Sequence, residues 1–580
     1  MHRSVLLLVW AAAIVSFAWA IGFSPPVPAA ESTPIGITRL ETPLEVTLGA
    51  GDELRTEKTR VLLVGIEGSQ PPAIAVRTSQ QWFETHAAAR NLRGRFVVSS
   101  IACANPDGLA VKTPNQNQAG GNPMRGYPPK GGYYDSPTDP EAAYLWRWIG
   151  MHGPDLVVVV RAGEKLGYSF HGPDAFTAPL RKRFGEHLFE PPADVLAVQL
   201  AAVPACDVGL IPAVAVELPP GGSTAFLPAL LATLDDAGLP GLSPARKELQ
   251  RRLDRTPAAV ADELSRVYGQ QLKQVAYIPA LALVGRVRLG ELTDEPAHRT
   301  DVERIVLPYF DGSQNPLPKN GSEQAGRLIF SELAARSQGE ARDRYIALAR
   351  VAADQIFAKD GQALPLAPFH NEMSDAVFMA GPILAATGKL TGEEKYFNAC
   401  ATHLASMRKL CLRDDGLYRH SPLDEAAWGR GNGFPALGMA WVLSEFPAEH
   451  PQRAALLTDF QNHMKALLKH QDADGCWHQV IDRPQSYREF TATCMIGWAM
   501  IRGLENRWLE KKTFQPAVDR AWQAIKLRIG PEGKLVDVCT GTGKQQNLRA
   551  YYDRPAILGR DDRGGAMALM FSTEMLASQQ

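Results

Sequence analysis

Leu456-Leu-Thr-Asp-Phe460-Gln-Asn-His-Met464-Lys-Ala-Leu467 carries apolar side chains at 456, 460, 464 and 467 with mostly polar ones between them. That spacing is the period of an α-helix with a single apolar face, so it predicts a helix covered on one side only. Val518, Trp522, Ile525 and Ile529 repeat the pattern. Residues 434–443 and 494–501 are instead apolar nearly all round, which suits a helix covered on both sides. Alternation of the two kinds predicts helical hairpins around an axis, with one-sided helices outside and two-sided helices inside. Gly339-Glu340 leading to Tyr345 and Gly392-Glu393 leading to Tyr396 recur at about 50 residues, the length of one such hairpin. Two ordinary helix starts would also produce that pair, and Thr391-Gly-Glu-Glu394 has the form of a capping box. Four hairpins and a last helix at 564–578 fill the chain beyond residue 322. Such a ring is either open or completed by what precedes it.

Ahead of the helices the pattern is different. Short, β-branched, wholly apolar runs at 61–64, 96–101, 156–160 and 213–218 read as strands buried on both faces of an α/β sheet. Residues 114–140, rich in Asn, Gln, Gly and Pro, form no packed element and predict a surface loop. Helical segments are expected at 224–236 and 244–272. A Pro, Gly and Asn-rich passage near 308–321 suits a linker. The expected domains are therefore 31–310, a linker at 311–321, and 322–580.

The chain has 580 residues, more than one core of ~100 to 200 residues usually organises. Its 61 Lys and Arg balance 62 Asp and Glu, so no overall field argues for nucleic acid or an anionic membrane as partner. Arg3 precedes an apolar run that ends in Ala18-Trp-Ala20, the form of an export signal with a small-residue cleavage site. At ~20 residues the run is also long enough for a retained membrane anchor. Either way residues 1–30 predict export, to the periplasm or the exterior. The seven cysteines (Cys103, Cys206, Cys400, Cys411, Cys476, Cys494 and Cys539) show no CxxC spacing and indicate neither a disulfide framework nor a zinc knuckle.

The chemistry sits in the helical half. Asp375 stands between 371–374 and a helical run, with Phe378 and Met379 as apolar neighbours able to raise a carboxyl pKa. Asp is also a good helix cap, so that role stays open. Trp428-Gly-Arg-Gly-Asn-Gly-Phe434 sets three glycines about an arginine, which lets backbone approach a ligand closely while Arg430 offers a planar fork for a carboxylate. Gly416-Leu-Tyr-Arg-His420, Gln471-Asp-Ala-Asp-Gly-Cys-Trp477 and Glu489-Phe-Thr-Ala492 complete an ordered series. For Glu489 a place at a helix start is the plain structural account.

With Gly381-Pro382 and the Thr391-Gly-Glu-Glu-Lys-Tyr396 stretch, this series resembles glycoside hydrolase families 88 and 105, the unsaturated glucuronyl and rhamnogalacturonyl hydrolases, over about 322–578. The resemblance implies a six-hairpin (α/α) barrel. It implies hydrolysis of 4,5-unsaturated uronic acid from oligosaccharides, with Asp375 the catalytic acid and no cofactor or metal. It further implies that Arg430, His420, Trp428, Asn432, Phe434, Trp477 and Glu489 line the substrate site. The helix at 322–335 carries no aspartate where the resemblance calls for a second one, and Met373 stands at an aromatic position. The alternative is thus an inactive glycan-binding protein built on two degenerate enzyme folds.

The first domain shows a fainter likeness. Glu67 and Gln70 after the first strand, Asn105-Pro-Asp-Gly108, Asp139-Pro-Glu-Ala142, Arg161, and Glu217 on the last strand fall in the order found in zinc carboxypeptidases. Zinc needs His or carboxylate ligands, and an arginine at a ligand position repels a cation, so a metal-free domain is expected. The fold class expected overall is an α/β carboxypeptidase-like domain followed by an all-α hairpin barrel.

Overall fold

The structure is a computed structural model describing residues 32–580 except 133, 222, 223 and 239, so the export signal or anchor at 1–30 lies outside the described residues. Strands β1 (Ser32–Ile37), β2 (Pro43–Thr47), β3 (Thr59–Gly65), β4 (Phe96–Ile101), β5 (Leu156–Ala162), β6 (Gly167–His171) and β7 (Ala213–Leu218) form one sheet in the order β1-β2-β4-β3-β5-β7-β6. The four strands expected from apolar runs are the four central ones, and they run parallel. β1, β2 and β6 pair antiparallel towards the edges. They were not foreseen, because a strand near the edge such as β2, second in the sheet, alternates buried and exposed side chains over only a few residues.

Among the described residues, six inner helices form a closed ring: Tyr277–Leu292, the pair Gly321–Gly326 and Leu328–Ala335, then Ala376–Thr391, Gly429–Glu445, Phe490–Glu505 and Asp562–Ala577. Each packs on the next, and the last packs on the first. Outer helices Pro257–Ser265, Ala297–Phe310, Gly339–Ala353, Glu394–Cys411, Arg453–Leu468 and Lys511–Arg528 complete six hairpins. The barrel therefore starts near residue 257 rather than 322. Residues 311–320 form the loop inside its second hairpin, because a hairpin loop and a domain linker share one composition. The ring is closed by Tyr277–Leu292, whose Leu281, Leu283, Val284 and Val287 are buried in the same core as Leu569 and Phe571 of the last inner helix. Where Gly438 meets the Ala376–Thr391 helix, an added Cβ would lie 2.9 Å from the Phe378 Cα, so glycine sets how closely these two inner helices approach.

Before its last inner helix the barrel makes an excursion through β8 (Leu535–Cys539) and β9 (Ala556–Gly559). This excursion joins the two halves of the molecule. Val536, Cys539, Tyr551 and Tyr552 share one apolar cluster with Ile35, Tyr144 and Trp146 of the sheet domain. Within it Arg147 pairs with Asp537, donates to the Ala556 carbonyl at 2.7 Å, and lies over the Tyr134 ring. Tyr134 donates to Asp537 at 3.0 Å. At the rim Arg39 pairs with Asp553 at 2.7 Å, and Arg549 donates to the Thr38 carbonyl at 3.0 Å. All seven cysteines are free, and no helix among the described residues is long and apolar enough to cross a membrane.

Candidate active site at the mouth of the barrel

Inner helices begin at one end of the ring, and their first residues meet there. Asp375 precedes Ala376–Thr391 with helical backbone angles and makes no capping hydrogen bond with its side chain. Its carboxylate is 3 % exposed and turns to His420, whose Nε2 lies 3.1 Å from Oδ2. The two atoms are close without being aligned as a full hydrogen bond. The other ring nitrogen, Nδ1, is 2.9 Å from the Tyr551 hydroxyl. Trp428 stands against His420 with ring centres 4.4 Å apart. Its faces carry the guanidinium groups of Arg430 at 4.9 Å and Arg554 at 4.3 Å, and its indole N–H donates to Gln479 at 3.3 Å.

The segment 540–547 lies over this group. Arg430 donates to the carbonyls of Cys539, at 3.0 Å, and Gly541. Arg554 donates to those of Gly541, at 3.4 Å, and Gly543. Lys544 reaches the Asn371 carbonyl at 3.1 Å and pairs with Glu372 at 3.0 Å. The Gln545 N–H donates to Tyr551 at 3.2 Å. Gly541 has φ +65 with open space where a Cβ would stand, so here glycine serves backbone conformation and not close packing.

The structure thus brings together Asp375, His420, Arg430 and Trp428 of the residues expected to line the site. The other four are engaged in packing or in backbone hydrogen bonds. Asn432 spends its amide on its own backbone, donating to the carbonyls of Tyr418 at 2.7 Å and Trp428 at 3.0 Å and accepting from the Tyr418 N–H at 2.8 Å. Phe434 is fully buried against Phe378 and Tyr277, with centres 5.6 and 5.5 Å away, one helical turn below the mouth. Trp477 is fully buried and donates to the Leu467 carbonyl at 2.7 Å. Glu489 caps Phe490–Glu505, accepting from the amides of Thr491 at 3.1 Å, Ala492 at 2.6 Å and Cys539 at 3.0 Å. Arg554 and the covering segment went unforeseen, although the Gly541-Thr-Gly543 stretch is a turn signal within reach of sequence reading.

Beneath Asp375, buried His403 accepts from the Ala367 amide at 3.2 Å and so donates from Nε2 to the Ala376 carbonyl at 2.9 Å. Both bonds need a neutral ring, and burial pulls its pKa from 6.5 down to about 4. Below pH 6.5 the unfolded chain takes up a proton that the folded ring refuses, so stability falls as pH falls through that window. The expected loss attributable to this ring approaches about 3 kcal/mol by pH 4. Urea unfolding across pH 4 to 7 should show it, and His403→Gln should flatten the slope.

In the sheet domain, Ser69 donates to Glu67, and Arg161 pairs with Glu217. Among the described residues no group of three His, Cys, Asp or Glu is placed to hold a metal ion.

At the mouth of the helical barrel a buried carboxylate, imidazole, indole and arginine meet. The chain belongs to Glycosyl Hydrolase Family 88, whose family model matches residues 250–579. The unsaturated rhamnogalacturonyl hydrolase YesR of Bacillus subtilis (strain 168) is 27 % identical over 218 residues, covering 36 % of this chain and 60 % of that protein. An unsaturated 3S-rhamnoglycuronyl hydrolase of Alteromonas sp. (strain LOR) is 27 % identical over 174 residues, 28 % of this chain and 42 % of its own length. The chain thus spans less than two thirds of these two relatives. A glycoside hydrolase family 105 structure from C. acetobutylicum ATCC 824 covers 55 % of this chain and 99 % of its own, at 20 % identity and a TM-score of 0.48.

Proposed function

We propose that this chain hydrolyses 4,5-unsaturated uronic acid residues from the ends of oligosaccharides, with Asp375 as the catalytic acid. The observation that carries the reading is the convergence of a buried, uncapped Asp375 carboxyl with His420, Arg430 and Trp428 at the ring's mouth. Ordinary glycosidases need two carboxylates astride a glycosidic oxygen. Hydration of an enol ether needs only one. Protonated Asp375 gives its proton to C4 as the C4=C5 pair forms the new C–H bond. The resulting carboxylate takes a proton from water as the water oxygen bonds to C5. The hemiketal so formed opens to a ketone at C5 and a hemiacetal at C1, and the hemiacetal collapses to an aldehyde as its C1–O bond breaks and the remaining saccharide leaves as an alcohol. Arg430 binds the uronate in the place of the Gly541 carbonyl, and Trp428 with its flanking arginines walls the sugar.

A second reading, glycan binding without turnover, draws on one observation. The inner pair at 321–335 brings no free carboxylate to the mouth, since Glu323 accepts from Gln274 at 2.6 Å and Asn320 at 2.9 Å, while Glu332 pairs with Arg288 and Arg336. Loss of ultraviolet enol-ether absorbance from unsaturated glucuronyl or galacturonyl disaccharides separates the two. Decay is expected; a complete lack of it, with binding retained by calorimetry, would replace the first reading by the second. The sheet domain we take to be non-catalytic and exported with the barrel, on the strength of the Arg161–Glu217 pair and the apolar run at residues 5–20.

A further inference from the structure

Tyr551 is fully buried and lies 131 residues from its partner His420, yet its hydroxyl sits at the centre of a directed chain. The Gln545 N–H donates to the Tyr551 oxygen at 3.2 Å, and a backbone N–H can only donate. The Tyr551 proton is then free to point at the nearest acceptor, His420 Nδ1 at 2.9 Å. An Nδ1 that accepts leaves the imidazole proton on Nε2, the atom 3.1 Å from Asp375 Oδ2. Burial pushes the Tyr551 pKa up to about 12, so the phenol keeps its proton. Trp428 packs against the ring, with centres 4.4 Å apart.

We propose that Tyr551 is a positioning residue: it fixes His420 as the Nε2–H tautomer, so that this N–H faces Asp375 and stabilises the carboxylate left when its proton has gone to the substrate. The covering segment supplies the first link of the chain through Gln545, which ties closure over the site to the state of its acid. The inference rests on the reading of Asp375 given above for its kinetic part only; the tautomer stands or falls without any activity.

The charged and titratable groups facing Tyr551 are His420, Arg554, Asp424 and Asp375, and those facing Asp375 are His420, Tyr277, Arg430, Cys411 and Tyr551. Without the phenol, His420 is free to present its bare Nε2 to Asp375, which favours the protonated acid. In Tyr551→Phe the basic limb of the kcat/KM profile is therefore expected to move to higher pH. The expected fall in kcat is about tenfold or more, with KM little changed.

The direct test is the imidazole ¹⁵N spectrum of the histidine-labelled full chain, with the His420 signals assigned by their loss in His420→Gln. Wild type should show Nε2–H, and Tyr551→Phe should show a mixture or the reverse tautomer. An Nδ1–H ring in wild type overturns the proposal, and this measurement needs no variant of Tyr551 to fold. A Tyr551→Phe protein with the wild-type tautomer overturns it too, even if activity has dropped, because that outcome makes Tyr551 a packing residue. Wild-type protein inert towards every unsaturated disaccharide removes the uronyl reading, and the ¹⁵N result then decides the tautomer alone.

Discussion

Asp375→Asn is expected to slow the loss of enol-ether absorbance by about 10²- to 10⁴-fold, the range that a positioned proton donor contributes. The amide is nearly isosteric, but it has no proton to give to C4 and cannot take one from water. Thermal stability should be unchanged, because the Asp375 side chain makes no capping bond whose loss would loosen the helix. That pairing of outcomes separates catalysis from architecture: a cap would lose stability with little effect on rate. Decay that survives the substitution would keep the activity and remove Asp375 as its acid. The measurement is a progress curve on an unsaturated disaccharide beside a melting curve of the same preparation.

The second large effect lies far from the chemistry. Asp537→Asn should destabilise the protein by about 3 to 5 kcal/mol, the cost of leaving a buried charge without its counter-ion. Arg147 is 1 % exposed, and its bonds to Asp537 and the Ala556 carbonyl cross from the sheet domain to the barrel's excursion. Asparagine tolerates the positive φ of 65° at this position, so the change reports charge and not backbone strain. The paired substitution Arg147→Met with Asp537→Asn should recover much of the loss, since it removes both members of a costly buried pair. Denaturant midpoints of the wild type and the two variants check this. Equal losses in the single and double variants would show that the pair contributes nothing beyond shape.

How far the sequence could be read follows from what each residue's neighbours are. The parallel strands β3, β4, β5 and β7 are covered on both faces and so announce themselves as unbroken apolar runs, whereas β1, β2 and β6 do not. The inner helix Tyr277–Leu292 is as apolar as the later inner helices, yet nothing local says that it closes a ring with Asp562–Ala577 at the other end of the chain. In the site, Asp375, His420, Arg430 and Trp428, which meet in the structure, each sit in a short motif with unusual composition. The same series of motifs also contains Asn432, Phe434, Trp477 and Glu489, which the structure engages in packing and backbone bonds. Successive helical residues point 100° apart, so within Gly429–Glu445 only part of a motif faces the mouth. Asn432 turns to its own backbone, and Phe434 lies one turn too deep. Tyr551 carries little local signal for the opposite reason: its partner His420 lies far along the chain.

The excursion through β8 and β9 bears on how such a chain can be recombined. It forms the lip of the helical ring, and it is seated on the sheet through Asp537, Asp553 and the cluster around Tyr551 and Tyr552. A barrel grafted onto another partner, or produced from residue 257 onward, would carry Tyr487, Val536 and Tyr552 into water and lose the bench on which its lip rests. The two halves are therefore a single heritable piece, and shuffling must move them together.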